Sequence, residues 1–185
     1  MSVPQLPNPA KLVISLLMGD TAVADAVEAA LEARFGAVDM LSPWFPFDYT
    51  RYYESEMGAG LVRRMVVFKK LVPNGDLVAI KCFTNDLERE YSEGGRRRVN
   101  IDPGYLLQER FVLATGKNFS HRIYLGKGIY ADLTLVYKRG GYQAQPWTFP
   151  DYASPEMQAF LAQVRHQYRV DLKQGDLIPN TDEVQ

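Results

Sequence analysis

Gly126-Lys127-Gly128 separates two strand-like stretches, His121 to Leu125 and Ile129 to Tyr137. A short glycine-rich break between two such stretches lets the chain reverse, which predicts a hairpin. An isolated hairpin is marginal in water, so further strands must flank it. The rest of the chain supplies them. Lys11 to Met18 is almost wholly apolar and reads as a buried first strand. Met65 to Leu71 and Leu77 to Phe83 read as strands joined by Pro73-Asn74-Gly75-Asp76, whose Asn-Gly pair suits a tight turn. Arg98 to Asp102 alternates. Val99 and Ile101 take one face and Arg98, Asn100 and Asp102 the other, and Pro103-Gly104 is expected to end the strand. Phe111 to Thr115 adds another.

Helices are marked by their ends. Asp20 can cap a helix over about residues 21–34, with Val23, Val27, Leu31 and Phe35 at intervals of four and Gly36 as the stop. Asn85 followed by Glu88 reads as a capping box for a short helix ending near Gly94-Gly95. Ser154 caps a last helix with Pro155 at its first position, and Met157, Phe160, Leu161, Val164 and Tyr168 form its apolar stripe. Residues 37–62 show no period and contain Pro43, Pro46, Gly58 and Gly60, so they read as a long connection. An α+β fold is expected: a mixed, mostly antiparallel sheet with two or three helices packed on one side of it. The 185 residues fit a single domain, with residues 1–10 extended and the tail from residue 174 frayed.

Composition removes several function classes. Twenty-one basic and 22 acidic residues give a net charge of −1, unlike a protein that coats duplex DNA. The charge is unevenly spread: residues 1–60 carry a net −5 and residues 96–127 a net +5. That basic segment either offers a positive field to an anion or pairs with the acidic first third. Cys82 is the one cysteine, so an intrachain disulfide and a Cys-rich zinc site are excluded. With only His121 and His166, a site of three or more histidines is excluded as well, and no metal site is expected. Leu12 to Met18 is too short to span a bilayer, so a cytoplasmic protein without membrane association is expected.

Candidate site residues fall in three places. Arg98, Asn100 and Asp102 line up along one strand face, and the turn expected at Asp102-Pro103-Gly104-Tyr105 would hold the carboxylate. Ser120-His121-Arg122 joins an imidazole that titrates near neutrality to a guanidinium that can grip phosphate. Asp102 and His121 are thus the candidates for proton transfer, and Arg98, Asn100 and Arg122 for ligand binding. The third place is aromatic: Trp44, Phe45, Phe47, Tyr49, Tyr52 and Tyr53 fall within ten residues. Such a loop can stack a flat ligand, with Trp44 and Tyr49 foremost, or can pin itself to the domain. Ser42-Pro43-Trp44-Phe45-Pro46-Phe47-Asp48-Tyr49 is echoed by Gln145-Pro146-Trp147-Thr148-Phe149-Pro150-Asp151-Tyr152. The two segments either form opposite rims of one cleft or resemble each other by chance. Neither Thr115-Gly116-Lys117-Asn118 nor Gly126-Lys127-Gly128 completes a phosphate-binding P-loop, which needs a glycine five residues earlier and a hydroxyl after the lysine.

Four of these strings carry a family resemblance: residues 42–49, Arg97 to Tyr105, Ser120 to Gly126 and Pro146 to Tyr152. Together, over about residues 10 to 170, the chain resembles a prokaryotic family of this length, the domain-of-unknown-function family 4416. Some of its members are labelled GTP-binding proteins, a label that the broken P-loop patterns here do not match. The resemblance implies one domain and brings no catalytic residue and no cofactor. The expected function is binding of a small anionic ligand, such as a nucleotide or phosphorylated metabolite. Two alternatives stand beside it: a non-catalytic interaction module that docks through its aromatic loops, and binding of single-stranded RNA.

Overall fold

The computed structural model describes residues 2–175. The strands are β1 (Ala10–Met18), β2 (Val38–Leu41), β3 (Phe45–Pro46), β4 (Val62–Val72), β5 (Ser92–Glu93), β6 (Arg96–Arg97), β7 (Asn100–Leu106), β8 (Arg110–Thr115), β9 (Arg122–Gly126), β10 (Ile129–Lys138) and β11 (Gly141–Ala144). The helices are α1 (Ala24–Phe35), α2 (Glu54–Met57), α3 (Leu77–Glu90) and α4 (Pro155–Gly175). Nine strands form one sheet in the order β11-β10-β8-β7-β1-β4-β2, with β3 paired to β4 and β9 to β10. The short pair β5-β6 stands apart. Every pairing is antiparallel, so the fold is α+β as expected.

β1 lies between β4 and β7 and is buried along its whole length. Its apolar run therefore feeds two cores. Val13 joins Met65, Phe111, Leu161, Val164 and Tyr168 beneath α4. Leu12, Ile14 and Leu16 join Val27, Leu31, Ile80 and Leu87 beneath α1 and α3. Each fully buried aliphatic side chain stabilises the fold by about 1.5–3 kcal/mol. The helices thus cover both faces of the sheet, not one. Lys11 is buried in the same strand, its ammonium held at 2.6 Å by both Asp39 and Asp171.

The expected helix ends are present at both termini of the described chain. Asp20 accepts from the Ala22 amide and opens a short 3-10 turn before α1, which stops at Gly36. The Ser154 hydroxyl accepts from the Met157 amide at the start of α4. Residues 174 and 175 close α4, and the rest of the tail expected to fray lies outside the described residues.

Three expectations need correction. Leu77 to Phe83 is not a strand, and Pro73-Asn74-Gly75-Asp76 is not a hairpin turn; Asn74–Asp76 is a 3-10 turn that leads into the 14-residue helix α3. The inward face of α3 is Leu77, Ile80, Lys81, Thr84, Leu87 and Glu88, a helical spacing. Within Leu77 to Phe83 every residue but Lys81 is apolar, so that short window shows no helical period, which emerges only over the full helix. Asn85 and Glu88 lie inside this helix and cap nothing. Secondly, Pro103-Gly104 does not end β7, which runs on to Leu106. At Pro103 the strand has a registered partner only on the β1 side, so its missing N–H is tolerated. Gly104 is demanded by contact: a Cβ there would lie 2.5 Å from the Val112 carbonyl oxygen. Thirdly, the long connection at 37–62 contains β2, β3 and α2. The first two are stitched to β4, and α2 has no apolar face of its own long enough to show a period.

Candidate functional site

β7 and β8 are in register only from Gly104 opposite Leu113 to Leu106 opposite Phe111. Beyond Gly104 the two strands part. β7 continues to Asn100 along β1, while β8 continues to Thr115 along β10. The split opens a cleft of about 360 Å3, with Asn100 and Asp102 on one wall and Leu113 to Lys117 on the other. Behind it lies α3, packed on β8 through Leu77, Val78 and Cys82. Lys81, Asn85 and Glu88, spaced four and three residues apart, share one side of that helix and line the cleft floor.

The floor is a closed charge network. The Lys81 ammonium donates to the Ile101 carbonyl at 2.8 Å and to Asp102 Oδ1 at 3.1 Å, with Glu88 at 3.8 Å. Asn100 donates to Asp102 Oδ2 at 2.6 Å. Glu88 accepts from the Ile101 amide at 2.7 Å and from Arg97 at 3.3 Å. Arg97 also donates to Asn100 and clasps both oxygens of Glu56 at 2.7 Å. Two carboxylates at either end of Lys81 are driven apart. Burial pushes Glu88 above the ordinary carboxylate value, against the Lys81 charge. Burial would raise Asp102 too, but the Lys81 and Arg63 charges and the hydrogen bonds from Lys81 and Asn100 hold it below.

The mouth is aromatic. Tyr52, Tyr53, Lys117 and Phe149 border both the cleft and an adjoining apolar hollow of about 350 Å3. Phe47 and Tyr49 line that hollow from one echoing segment, with Thr50 just after it, and Pro150 and Asp151 from the other. The two segments therefore face each other across one opening. Lys117 Nζ donates to the Tyr52 hydroxyl at 3.1 Å and sits 4.6 Å from its ring centre. It has no carboxylate partner among the described residues.

The residues singled out from sequence scatter. Asn100, Asp102 and Arg122 line the cleft. Arg98 does not: it precedes β7, faces outward and pairs with Asp20 at 2.9 Å. Its neighbour Arg97 turns inward, because the alternation begins only at Asn100. Arg97 with Glu56 and Arg98 with Asp20 also show that part of the basic segment pairs with the acidic first third. His121 bonds through Nε2 to Asp132 at 3.2 Å, beside Arg122 Nε at 2.9 Å, and its ring stacks on Trp147 at 4.7 Å. Its carboxylate partner is thus Asp132, not Asp102. Trp44 lies under Arg64, 4.5 Å from its ring centre, against the α1 core and away from the cleft. Tyr49 lines the hollow, half exposed. Lys81, Glu88, Arg97 and Lys117 were not foreseen. The spacing of Lys81, Asn85 and Glu88 was the signal available for the first two. Among the described residues no three of His, Cys, Asp and Glu converge to hold a metal ion, and no helix is long and apolar enough to cross a membrane.

A split antiparallel sheet, floored by one helix and roofed by two aromatic segments, defines an α+β protein with one charged cleft at a strand divergence. The chain belongs to the family described as "Domain of unknown function (DUF4416)", whose model matches residues 8–168. No curated protein and no solved structure matches it.

Proposed function

We propose that this protein binds a small anionic ligand, a nucleotide or phosphorylated metabolite, in the cleft between β7 and β8. One observation carries the reading: the cations of the cleft differ in what remains for a ligand. Lys81 and Arg97 spend their donors on Asp102, Glu88, Glu56, Asn100 and a carbonyl. Lys117 meets only a phenol, and Arg122 uses Nε on Asp132 and Nη1 on the Lys117 carbonyl, leaving Nη2 uncommitted among the described residues. Lys117 follows the end of β8 and Arg122 opens β9, so an anion seated between them gains charge-assisted hydrogen bonds without breaking the floor. Tyr52 and Phe149 would cover a flat portion of the ligand.

A thermal-shift series with nucleotides and sugar phosphates tests this. A ligand at about 100 times its Kd adds about 2.7 kcal/mol, a rise of roughly 5–10 °C for a chain of this size. Lys117→Ala should melt where the wild type does without ligand, since its ammonium pairs with no carboxylate, and should lose the shift. A flat series, or an unchanged shift in Lys117→Ala, sinks the assignment.

A protein-docking role is the second reading. It is favoured by β9, which lies at the sheet edge with Ile123, Tyr124 and Leu125 exposed and Phe119 beside it. Ile123→Lys leaving every association of the protein unchanged would count against it.

A further inference from the structure

Resting on the anion-binding reading, we infer that the ligand carries hydroxyl groups at its other end and that Asp102 reads them, so the ligand class is a phosphorylated sugar or the sugar phosphate part of a nucleotide. Asp102 is the one carboxylate of the cleft that is both anchored and open. Glu88, on α3 itself, is buried and taken by the Ile101 amide and Arg97, and Asp132 is taken by Arg122 and His121, whereas the Asp102 side chain keeps 29% of its surface exposed. Each of its oxygens already accepts one bond, Oδ1 from Lys81 and Oδ2 from Asn100. An ionised carboxylate has about four acceptor sites, so two remain. Its lowered pKa keeps it an acceptor only at neutral pH.

The neighbours decide between kinds of donor. Lys81 Nζ stands 3.1 Å away and already compensates the charge. A second ammonium brought by a ligand would meet that cation, while a neutral hydroxyl meets only free lone pairs. The anion end and the hydroxyl end are held by different parts of the sheet, Lys117 by the β8–β9 connection, Arg122 by the start of β9 and Asp102 by β7. The cleft thus measures a molecule with phosphate at one end and hydroxyls at the other.

The test compares two phosphate monoesters of equal charge, ribose 5-phosphate and butyl phosphate, by titration calorimetry on the full chain. The wild type should bind ribose 5-phosphate about tenfold or more tightly than butyl phosphate, since hydrogen bonds to a charged acceptor are the stronger kind. Asp102→Asn should bring the two esters to equal affinity, whatever the lost carboxylate charge adds to both. Equal affinities in the wild type overturn the inference and leave the anion site standing. Hydroxyl preference that survives in Asp102→Asn overturns the role of this residue. If the wild type binds neither ester, the anion reading falls and this inference with it. Should Asp102→Asn fail to fold, the comparison of the two esters on the wild type still decides whether hydroxyls are read.

Discussion

Segments 42–49 and 145–152 share a Pro-Trp pair, a later proline and a closing Asp-Tyr, yet the fold gives them opposite roles. In the first, Trp44 packs inward beneath Arg64 and Phe45-Pro46 adds a short strand to β4, while Asp48 and Tyr49 reach the surface. In the second, Trp147 lies toward the surface on His121, while Asp151 and Tyr152 are buried. The difference comes from Arg63 of β4. Its buried guanidinium pairs through Nε with Asp151 at 2.8 Å and donates to the Ser15 and Tyr152 hydroxyls. It also takes one ring from each segment, Phe47 at 5.0 Å and Tyr152 at 5.1 Å. One buried cation therefore joins the two walls of the hollow, and similar strings differ because each meets that cation at a different residue.

The largest expected effect breaks this joint. Arg63→Met leaves Asp151 buried without its partner, which costs about 3–5 kcal/mol. Denaturant unfolding should show that loss, and Asp151→Asn placed on top of it should return part of it. The matched change in the other segment, Asp48→Asn, should stay within about 0.5 kcal/mol because that carboxylate is exposed. Comparable losses at Asp48 and at Asp151 would refute the asymmetry. A smaller contrast sharpens it. Phe47→Leu should cost about 1–2 kcal/mol through lost packing under Arg63, and Tyr49→Leu less than about 0.5 kcal/mol. If Tyr49 proves the more costly of the two, the first segment is held by its exposed end instead.

The same contrast explains what could be read from the chain. β1, the β9–β10 hairpin and the two capped helices α1 and α4 were legible because their signals are local: an apolar run, glycines at a turn, a side-chain cap. α3 was not, because Leu77 to Phe83 is apolar except for Lys81 and follows an Asn-Gly pair, a local pattern shared by a strand after a tight turn. Lys81 and Glu88 are buried where α3 faces β7 and the cleft, a placement that only the full helical spacing reveals. Asn100 and Asp102 were found by their alternation, and Arg122 by its neighbour. Arg97 gives no such signal, since Arg98 keeps the alternation of Asn100 and Asp102 and Arg97 does not, yet β7 begins only at Asn100. Lys117 had no signal beyond lying in a basic segment; its value comes from what it lacks, a carboxylate partner, and that is a property of tertiary structure.

The smallest expected effect separates the two carboxylates that share Lys81. Asp102 has a folded pKa below its ordinary 3.8, so it adds stability above that pH and loses it as pH falls through the lowered value. The stability gap between wild type and Asp102→Asn should thus be constant above about 3.8 and shrink under more acid conditions. Glu88 runs the other way. Its folded value is raised above 4.5, so its contribution is whole below that pH and declines as pH rises through the raised value. The gap between wild type and Glu88→Gln should narrow with rising pH over a range that starts at 4.5. Paired melting curves across pH for the two variants measure both trends. Parallel trends would mean that Lys81 does not divide its charge as the geometry says, 3.1 Å from one carboxylate and 3.8 Å from the other. Opposite trends would fix Asp102 as the ionised, ligand-facing partner and Glu88 as the buried one that holds the Ile101 amide and the strand wall in place.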